Sequence, residues 1–177
     1  SSTGVVGANI TLPGAGTLTK TGYSFAGWNT LADGTGTTYA AGNVIQMPQG
    51  GTTLYAKWTA IQYMLIYKLY GGVNGPATEM RYTGAVANLS AVQPVRDGNY
   101  FHSWNTLADG TGTTYAPSDS FTMPGANTTL HAMWGVATGT VAYNANNGSN
   151  APASTSGTSG ANATAAAVGS MTRANYT

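Results

Sequence analysis

Short stretches in which apolar and polar residues alternate predict β-strands along most of this chain. The first clear one is Tyr23–Trp28, whose alternation places Tyr23, Phe25 and Gly27 on one face and Ala26 and Trp28 on the other. Aromatic residues in an alternating pattern are typical of a strand with one buried face. The chain is therefore predicted to be mostly β, with little helix.

Two further stretches extend the predicted set of strands. Thr52–Trp58 places Leu54, Ala56 and Trp58 on one face of a closing strand. Gln62–Tyr70 is apolar on both faces, which favours a central or covered strand. Between the strands, glycine-containing pairs such as Asp-Gly and Gly-Gly supply residues that tolerate positive φ, so the chain can reverse its direction there.

A spacing of 76 residues organises these strands. The sequence WNTLADGTGTTYA occurs at Trp28–Ala40 and again, unchanged, at Trp104–Ala116. Trp58 and Trp134 keep the same spacing. A spacing that is shared across a whole segment indicates a tandem array of one small unit.

The predicted repeats differ in how complete they are. The first, residues 1–60, has the motif strand and the closing strand but lacks an opening strand. The second, residues 61–135, contains all of them and opens with Gln62–Tyr70. The third, residues 136–177, is partial: after its opening strand comes Ala153–Ala167, a stretch of low complexity with no core pattern.

Composition narrows the classes of function. Only 6% of the residues are charged, against about 25% in typical soluble domains, and six basic residues form no patch for nucleic acid. The chain has no cysteine, so its stability must come from packing rather than from disulfides. Its longest apolar run, Tyr63–Tyr67, is much shorter than the roughly 20 residues of a membrane span.

The titratable residues indicate no catalytic or metal site. Asp33 and Asp109 occupy the same repeat position, each followed by glycine, where a role in the turn is favoured over catalysis. A cation held weakly by this loop is the alternative, although calcium sites use more carboxylate oxygens. His102 and His131 lie in predicted strands without matching ligands. We therefore expect no catalytic residue, no cofactor and no metal.

The pattern GYxFxGWNTxADGTGTxY, followed by TLYAxW, resembles the Listeria–Bacteroides repeat, the B-repeat type of internalin-like surface proteins. The resemblance covers residues 3–134 well and the remainder weakly. It implies a small β-grasp-like module, strung in arrays on secreted or surface-attached bacterial proteins, without enzymatic activity. The second copy departs from the pattern at Ser103, which replaces the glycine before the motif tryptophan.

Aromatic residues at matching strand positions are predicted to form the structural core of each repeat. They are Phe25, Trp28 and Trp58 in the first repeat and Phe101, Trp104 and Trp134 in the second. Trp104 and Trp134 are expected to share one core, with Phe101 and Leu130 beside them. Stacking of sugars on the tryptophans is the alternative, so a carbohydrate or cell-surface ligand stays open as a partner.

The incomplete ends of the array are complementary. The third repeat has a predicted strand that matches Met64–Lys68, but this repeat lacks the strands with which Met64–Lys68 is expected to pack. The predicted strand consists of Thr140, Val141, Ala142, Tyr143 and Asn144. Donation of this strand to the first repeat of a neighbouring copy, over residues 3–58, would seal an exposed sheet edge. Such a head-to-tail contact does not close and builds a filament. The alternatives are that the ends are cuts in a longer chain, or that the third repeat folds back onto the first.

These observations predict an extracellular structural repeat protein, a subunit of a surface fibre or filament whose partners are copies of itself. The alternative is a stalk or binding module of a bacterial cell-surface adhesin. No feature of the sequence favours an enzyme.

Overall fold

The computed structural model describes residues 4–147 and 149–159. These residues form β-strands and turns without a helix, so the predicted mostly-β fold is confirmed. The strands are β1 (Asn9–Thr11), β2 (Tyr23–Asn29), β3 (Thr38–Tyr39), β4 (Val44–Gln46), β5 (Tyr55–Ala60), β6 (Gln62–Lys68), β7 (Glu79–Tyr82), β8 (Val86–Asn88), β9 (Asn99–Asn105), β10 (Thr114–Tyr115), β11 (Ser120–Thr122), β12 (Thr128–Val136), β13 (Thr138–Val141) and β14 (Thr155–Thr158).

The first and second repeats have two small sheets in common, built from corresponding strands. In the first repeat, β1 pairs with β4, and a three-stranded sheet has the order β3-β2-β5. In the second repeat, β8 pairs with β11, and a five-stranded sheet has the order β10-β9-β12-β6-β7. The order β3-β2-β5 therefore corresponds to β10-β9-β12. The second repeat differs in having β6 and β7 beside its closing strand.

A β-bulge interrupts the regular alternation of the motif strand β2. Phe25 pairs with Trp58 and Gly27 pairs with Lys57, so Ala26 is an extra residue without a partner in the ladder. An extra residue of this kind shifts the side-chain alternation by one position. The residues before and after the bulge therefore do not follow a simple period of two.

The bulge corrects the predicted facing of the core aromatics. Phe25 and Trp28 were expected on opposite faces of β2, and this prediction is wrong. Their rings are in edge contact, with centroids 5.4 Å apart. β9 contains the same irregularity, and there the rings of Phe101 and Trp104 lie 4.9 Å apart.

Ser103, where the second copy departs from the repeat pattern, does not disturb the strand. It is buried within β9 and pairs with Met133 of β12. Its hydroxyl lies 2.9 Å from Nδ1 of His102. The corresponding glycine, Gly27, has a φ of 122°, and a Cβ there would overlap the carbonyl oxygen of Tyr39. The glycine is therefore required by the close approach in the first copy.

Contacts divide the chain into two compact units. The first comprises the residues up to Leu65 together with Glu79–Ala87 and Ser120–Thr128. The second comprises Ile66–Thr78, Asn88–Asp119 and the residues from Thr129 onwards. The boundaries of the units fall inside β6 and β12, whereas the predicted repeat boundaries follow the periodicity of the sequence.

The step from one repeat to the next uses the same backbone hydrogen bonds twice. In the first unit, the amide of Ile61 donates to the carbonyl of Gly22, and the amide of Thr83 donates to the carbonyl of Ile61, both at 2.9 Å. In the second unit, the same two bonds recur between the residues 76 positions later, which are Gly98, Ala137 and Ser159. We call each of these trios a joint.

In the part of the chain that the structure describes, no helix is long and apolar enough to span a membrane.

Candidate functional site: an open groove in the first repeat

An apolar groove of about 340 Å³ lies open in the first repeat. Aliphatic and aromatic side chains from β1, β2 and β4, and from the segment before β5, form most of its walls. The lining residues are Ile10, Leu12, Pro13, Trp28, Ile45, Met47, Pro48, Gly51, Thr52 and Leu54. A surface of this composition favours apolar side chains as its occupants.

The corresponding positions of the second repeat are closed. Trp104 and Leu130 are 0% exposed, Met123 is 1% exposed and Phe121 is 4% exposed. Their counterparts in the groove are only half-buried: Trp28, Leu54, Met47 and Ile45. Because three of these four pairs have identical side chains, the difference in burial arises from what covers them.

The opening strand β6 provides the cover in the second repeat. It lies beside β12 in the five-stranded sheet. Leu65 is fully buried, and the ring of Tyr67 packs on Trp104 with centroids 4.9 Å apart. Among the described residues, the first repeat has no strand on the corresponding side of β5. Its groove therefore lies where an opening strand would pack.

Two hydrogen bonds give the direction of the opening strand. The amide of Met64, early in β6, donates to Oδ1 of Asn127, just before β12, at 2.9 Å. Nε1 of Trp134, late in β12, donates to the carbonyl of Leu69, just after β6, at 2.9 Å. β6 therefore runs parallel to β12, and an equivalent occupant would run parallel to β5.

The tryptophans of the first repeat are placed to receive such a strand. Trp58, the counterpart of Trp134, packs its ring on Phe25 at 5.8 Å, yet nothing in the described chain accepts a hydrogen bond from its Nε1. Nε1 of Trp28 donates to the carbonyl of Pro13, which also lines the groove, at 2.7 Å. Trp28 therefore presents part of its indole to the groove, whereas Trp58 lies outside the groove lining.

The third repeat contains a hairpin that repeats the opening hairpin of the second. β6 pairs with β7 so that Gln62 faces Tyr82 and Leu65 faces Glu79. β13 pairs with β14 in the same register, 76 residues later, from Thr138 opposite Thr158 to Val141 opposite Thr155. All four residues of β13 are exposed.

This hairpin corrects one expectation. The strand at Thr140–Asn144 was expected to lack a partner in its own chain, which is wrong because Thr140 and Val141 pair with Ser156 and Thr155. The stretch Ala153–Ala167, predicted to have no core pattern, contains β14, whose residues are exposed apart from the half-buried Thr155; its residues from 160 on lie outside the described part. The observed strand also ends at Val141, and Ala142, Tyr143 and Asn144 continue as irregular chain.

The turn after each opening strand adopts the same backbone conformation. In the second repeat, Tyr70, Gly71 and Asn74 have positive φ values of 50°, 85° and 56°. In the third repeat, positive φ values of 44°, 68° and 59° occur at the matching positions, Asn146, Asn147 and Asn150. Asparagine tolerates this region better than most residues, which explains why an Asn-rich sequence can replace the glycine-containing turn.

The six predicted core aromatics form two ring clusters. Phe101 contacts both Trp104 and Trp134, with centroids 4.9 and 5.9 Å apart. Phe25 contacts Trp28 and Trp58 in the same way, at 5.4 and 5.8 Å. Only Trp104 is fully buried, and the other five are half-buried. Leu130, expected beside them, is fully buried in β12.

The sequence patterns do not single out Asn29 and Asn105, which end the motif strands. Both side chains are 0% exposed. The amide nitrogen of Asn29 donates to the carbonyls of Gly34 and Gly36 and to Oγ1 of Thr38, at 2.9–3.2 Å. Its Oδ1 accepts from the amides of Leu31 and Gly36. The side chain thus holds the following loop in shape.

The aspartate of the same loop accepts hydrogen bonds from a residue two positions later in the loop. Oδ1 of Asp33 accepts from the amide and the hydroxyl of Thr35, at 3.0 and 2.8 Å. The bond from the amide of Thr35 lowers the pKa of this carboxyl from its usual value, and the bond from the hydroxyl lowers it further. Asp109 and Thr111 repeat the arrangement. No cluster of three or more potential metal ligands occurs in the described residues.

The two histidines lie apart from the groove. His102 is the exposed extra residue at the bulge of β9. His131, at the start of the paired part of β12, stacks on Tyr70 with centroids 5.7 Å apart, and its Nδ1 lies 2.6 Å from the tyrosine hydroxyl. These contacts attach the end of the opening strand to the closing strand.

An array of small β modules with a tryptophan motif at matching positions defines a class of repeat protein. The Listeria-Bacteroides repeat domain family matches this chain over residues 3–57 and 63–133. The chain belongs to that family, whose repeats occur in surface proteins.

Two relatives are longer proteins that are named as membrane proteins. One, from Evansella cellulosilytica and named as a Gly-rich membrane protein, is 35% identical over 150 residues, which are 81% of this chain and 17% of the relative. Another, from the same organism and named as a membrane protein, is 40% identical over 53 residues, 30% of this chain and 8% of its own length. The chain thus spans less than a fifth of either relative. No solved structure matches it.

Proposed function

We propose that this chain is a non-enzymatic, extracellular structural repeat protein whose copies join head to tail into a surface fibre. In this arrangement the segment Thr140–Asn144 of one copy, which begins within β13, fills the groove of the first repeat in the next copy. The observation that carries the proposal is the contrast between Trp28 and Trp104, which have the same motif position but are half-buried and fully buried, respectively. In the second repeat β6 covers this position, and among the described residues the first repeat has no strand on the corresponding edge of β5.

The energies gained in such a contact are comparable to the cost of association. Burying Val141 contributes roughly 1.5–3 kcal/mol, and Tyr143 contributes less than a fully exposed side chain because it is already half-buried. About five new backbone hydrogen bonds add about 1 kcal/mol each. Association itself costs about 4–15 kcal/mol in lost translational and rotational freedom. Because the gain and the cost are of similar size, we expect assembly only where copies are concentrated.

The proposed contact adds copies in an open chain and does not form a closed ring. The donor is in the third repeat and the acceptor is in the first, so each copy keeps one unused donor and one unused acceptor. Heterologous contacts of this kind build open filaments. The low charge of the chain, with 6% charged residues and a net charge of +1, imposes little repulsion between successive copies.

Truncation tests the proposal. Removal of residues 137–177 deletes the donor, and we expect monomers with an unstable first repeat, whereas the full chain forms fibres visible by electron microscopy. A synthetic peptide of residues 137–152 should bind the first repeat and stop growth of full-length fibres. Fibres of normal length from the truncated chain would overturn the proposal.

The stalk or binding module of an adhesin is the second candidate. The specific observation in its favour is the half-exposed indole of Trp28 in an apolar groove, which offers a face on which a sugar ring can stack. In this case a carbohydrate or another cell-surface ligand is the partner. Binding of soluble glycans that is lost in Trp28→Ala, without any fibres at high protein concentration, would favour this candidate over the first.

A further inference from the structure

The opening hairpins of the second and third repeats have the same register, but only the one in the second repeat is docked on a closing strand. β6 has β7 on one edge and β12 on the other. β13 has β14 on one edge, and among the described residues it has no strand on the other edge. β5 has β2 on one edge and likewise lacks a second neighbour in the described chain. These two edges, one on β13 and one on β5, correspond to the edges of β6 and β12 that lie side by side in the second repeat.

We infer that the docking element is the β13–β14 hairpin together with the described residues that follow β13 up to Asn147, supplied by a second copy of the chain and aligned parallel to β5. This inference rests on the proposed function and specifies its partner, direction and register. A hairpin that is already formed in the free chain loses less conformational entropy on docking than a single disordered strand. Three contacts of the second repeat define the register.

The first contact is made by a tyrosine over the motif tryptophan. Tyr67 packs edge-on against Trp104 at 4.9 Å, and Leu65 beside it is fully buried. Tyr143 and Val141 occupy the matching positions of the donor, 76 residues later. In the acceptor, Trp28 lines the open groove. The register therefore places Tyr143 on Trp28 and Val141 in the groove beside it.

The second contact is a hydrogen bond from the closing tryptophan. Trp134 donates to the carbonyl of Leu69, and a Cβ on Gly72 would overlap the indole of Trp134. The matching donor carbonyl belongs to Ala145. The matching tryptophan of the first repeat is Trp58, which packs on Phe25 as Trp134 packs on Phe101. The donor thus supplies a carbonyl at the position where Leu69 accepts the bond from Trp134.

The third contact is between two polar side chains, and the tyrosine of the pair is on the opposite strand in the proposed contact. In the second repeat, the hydroxyl of Tyr70 lies 2.6 Å from Nδ1 of His131. The matching residues are Asn146 in the donor and Tyr55 in the acceptor. The tyrosine hydroxyl has moved from the opening hairpin to the closing strand, and the partner across from it is again a polar side chain. A hydrogen bond is therefore possible in both contacts.

A thiol cross-link tests the register, because the chain contains no cysteine. In Tyr55→Cys/Asn146→Cys, a short bis-maleimide should join successive copies and give a ladder of covalent oligomers. Tyr70→Cys/His131→Cys calibrates the reach of the reagent, since those side chains meet within one chain. Tyr55→Cys/Thr158→Cys is the matched control, because Thr158 lies on β14, away from β5, and should give no ladder.

A substitution pair measures the contribution of the tyrosine. We expect Tyr143→Ala to raise the concentration needed for assembly about tenfold or more, because it removes an aromatic contact and buried area. Tyr82→Ala should leave that concentration unchanged, because Tyr82 lies outside the third repeat and outside the groove lining, and its side chain is 54% exposed. Equal effects of the two substitutions would contradict docking in this register.

The outcomes separate the inference from the proposed function. Fibres that form without a cross-link between positions 55 and 146, although positions 70 and 131 react, overturn the hairpin register and leave the fibre intact. A cross-link confined to single chains shows that the third repeat folds back on the first, and it overturns both. The absence of assembly and of intermolecular cross-links at all concentrations also overturns both.

Discussion

At the scale of single residues, two buried asparagines determine the shape of the main loop. The side chains of Asn29 and Asn105 provide hydrogen-bond partners for backbone groups of the loop. One side-chain amide can do this for several groups, because it both donates and accepts hydrogen bonds. The sequence does not reveal this role. All 13 positions from Trp28 to Ala40 are identical in the second copy, so repetition cannot distinguish the asparagine from its neighbours. An asparagine directly after a predicted strand and before a glycine-containing loop is the available signal, since asparagine side chains often bond to the backbone of a turn.

We expect Asn105→Ala to destabilise the second repeat by about 2–4 kcal/mol, because several loop groups lose partners in a buried site. Leu107→Ala is the matched control in the same loop; Leu107 is 50% exposed, so its loss should cost less than about 0.5 kcal/mol. Urea denaturation monitored by tryptophan fluorescence measures both. Similar midpoints for the two variants would show that the loop holds its shape without the amide.

At the scale of elements, alternation in the sequence identifies the long strands but not their irregularities. β2, β5 and β6 were predicted, because aromatic and aliphatic residues mark them. β14 was missed, since its sequence TSGT has no apolar residue and its position follows only from pairing with β13. The bulge at Ala26 was also missed, because a period-two pattern assumes that every residue has a partner across the ladder.

The candidate site was partly predictable for the same reason. The spacing of 76 residues identified a matching strand at Thr140–Asn144 and a first repeat without one. The hairpin, and the edge of β5 that has no neighbour among the described residues, depend on pairings between residues far apart in sequence. Such pairings cannot be read from local patterns, so the structure is needed to define the register of the site.

The two motif tryptophans should differ in their contribution to stability. Trp104→Ala removes a fully buried side chain, and we expect a loss of about 3–5 kcal/mol. Trp28→Ala removes a half-buried one, so in unassembled chains the loss should be about 1–2 kcal/mol. Urea denaturation at a concentration below assembly measures both losses. Equal losses would mean that Trp28 is already covered, and that the groove is closed in solution.

At the scale of the whole molecule, repetition extends from the modules to the connections between them. The joint of Gly22, Ile61 and Thr83 in the first unit recurs as Gly98, Ala137 and Ser159 in the second. Repeat proteins derive their stability from interfaces between neighbouring repeats as well as from the repeats themselves. A fixed pattern of hydrogen bonds at each joint therefore suits both a fibre and a stalk, because either must transmit force along successive repeats.

The glycine of the first joint provides a test of this view. Gly22 has a φ of 78°, and a Cβ there would lie 2.5 Å from the Cα of Gly125 and from Oγ1 of Thr83. Gly22→Ala should therefore combine the cost of a left-handed residue, about 1–2 kcal/mol, with an overlap of about 1–3 kcal/mol. Gly34 has nearly the same φ, 77°, with nothing within 4 Å, so Gly34→Ala isolates the first cost.

Limited proteolysis shows whether the additional cost falls on the joint. In Gly22→Ala we expect faster cleavage around Ile61, because the overlap pushes apart the two backbone bonds that hold this residue. Gly34→Ala should be cleaved there at the rate of the unaltered chain, although both variants lose stability in urea. If the two variants are cleaved equally slowly, the joint tolerates the extra methyl group, and close packing at Gly22 does not hold the repeats together.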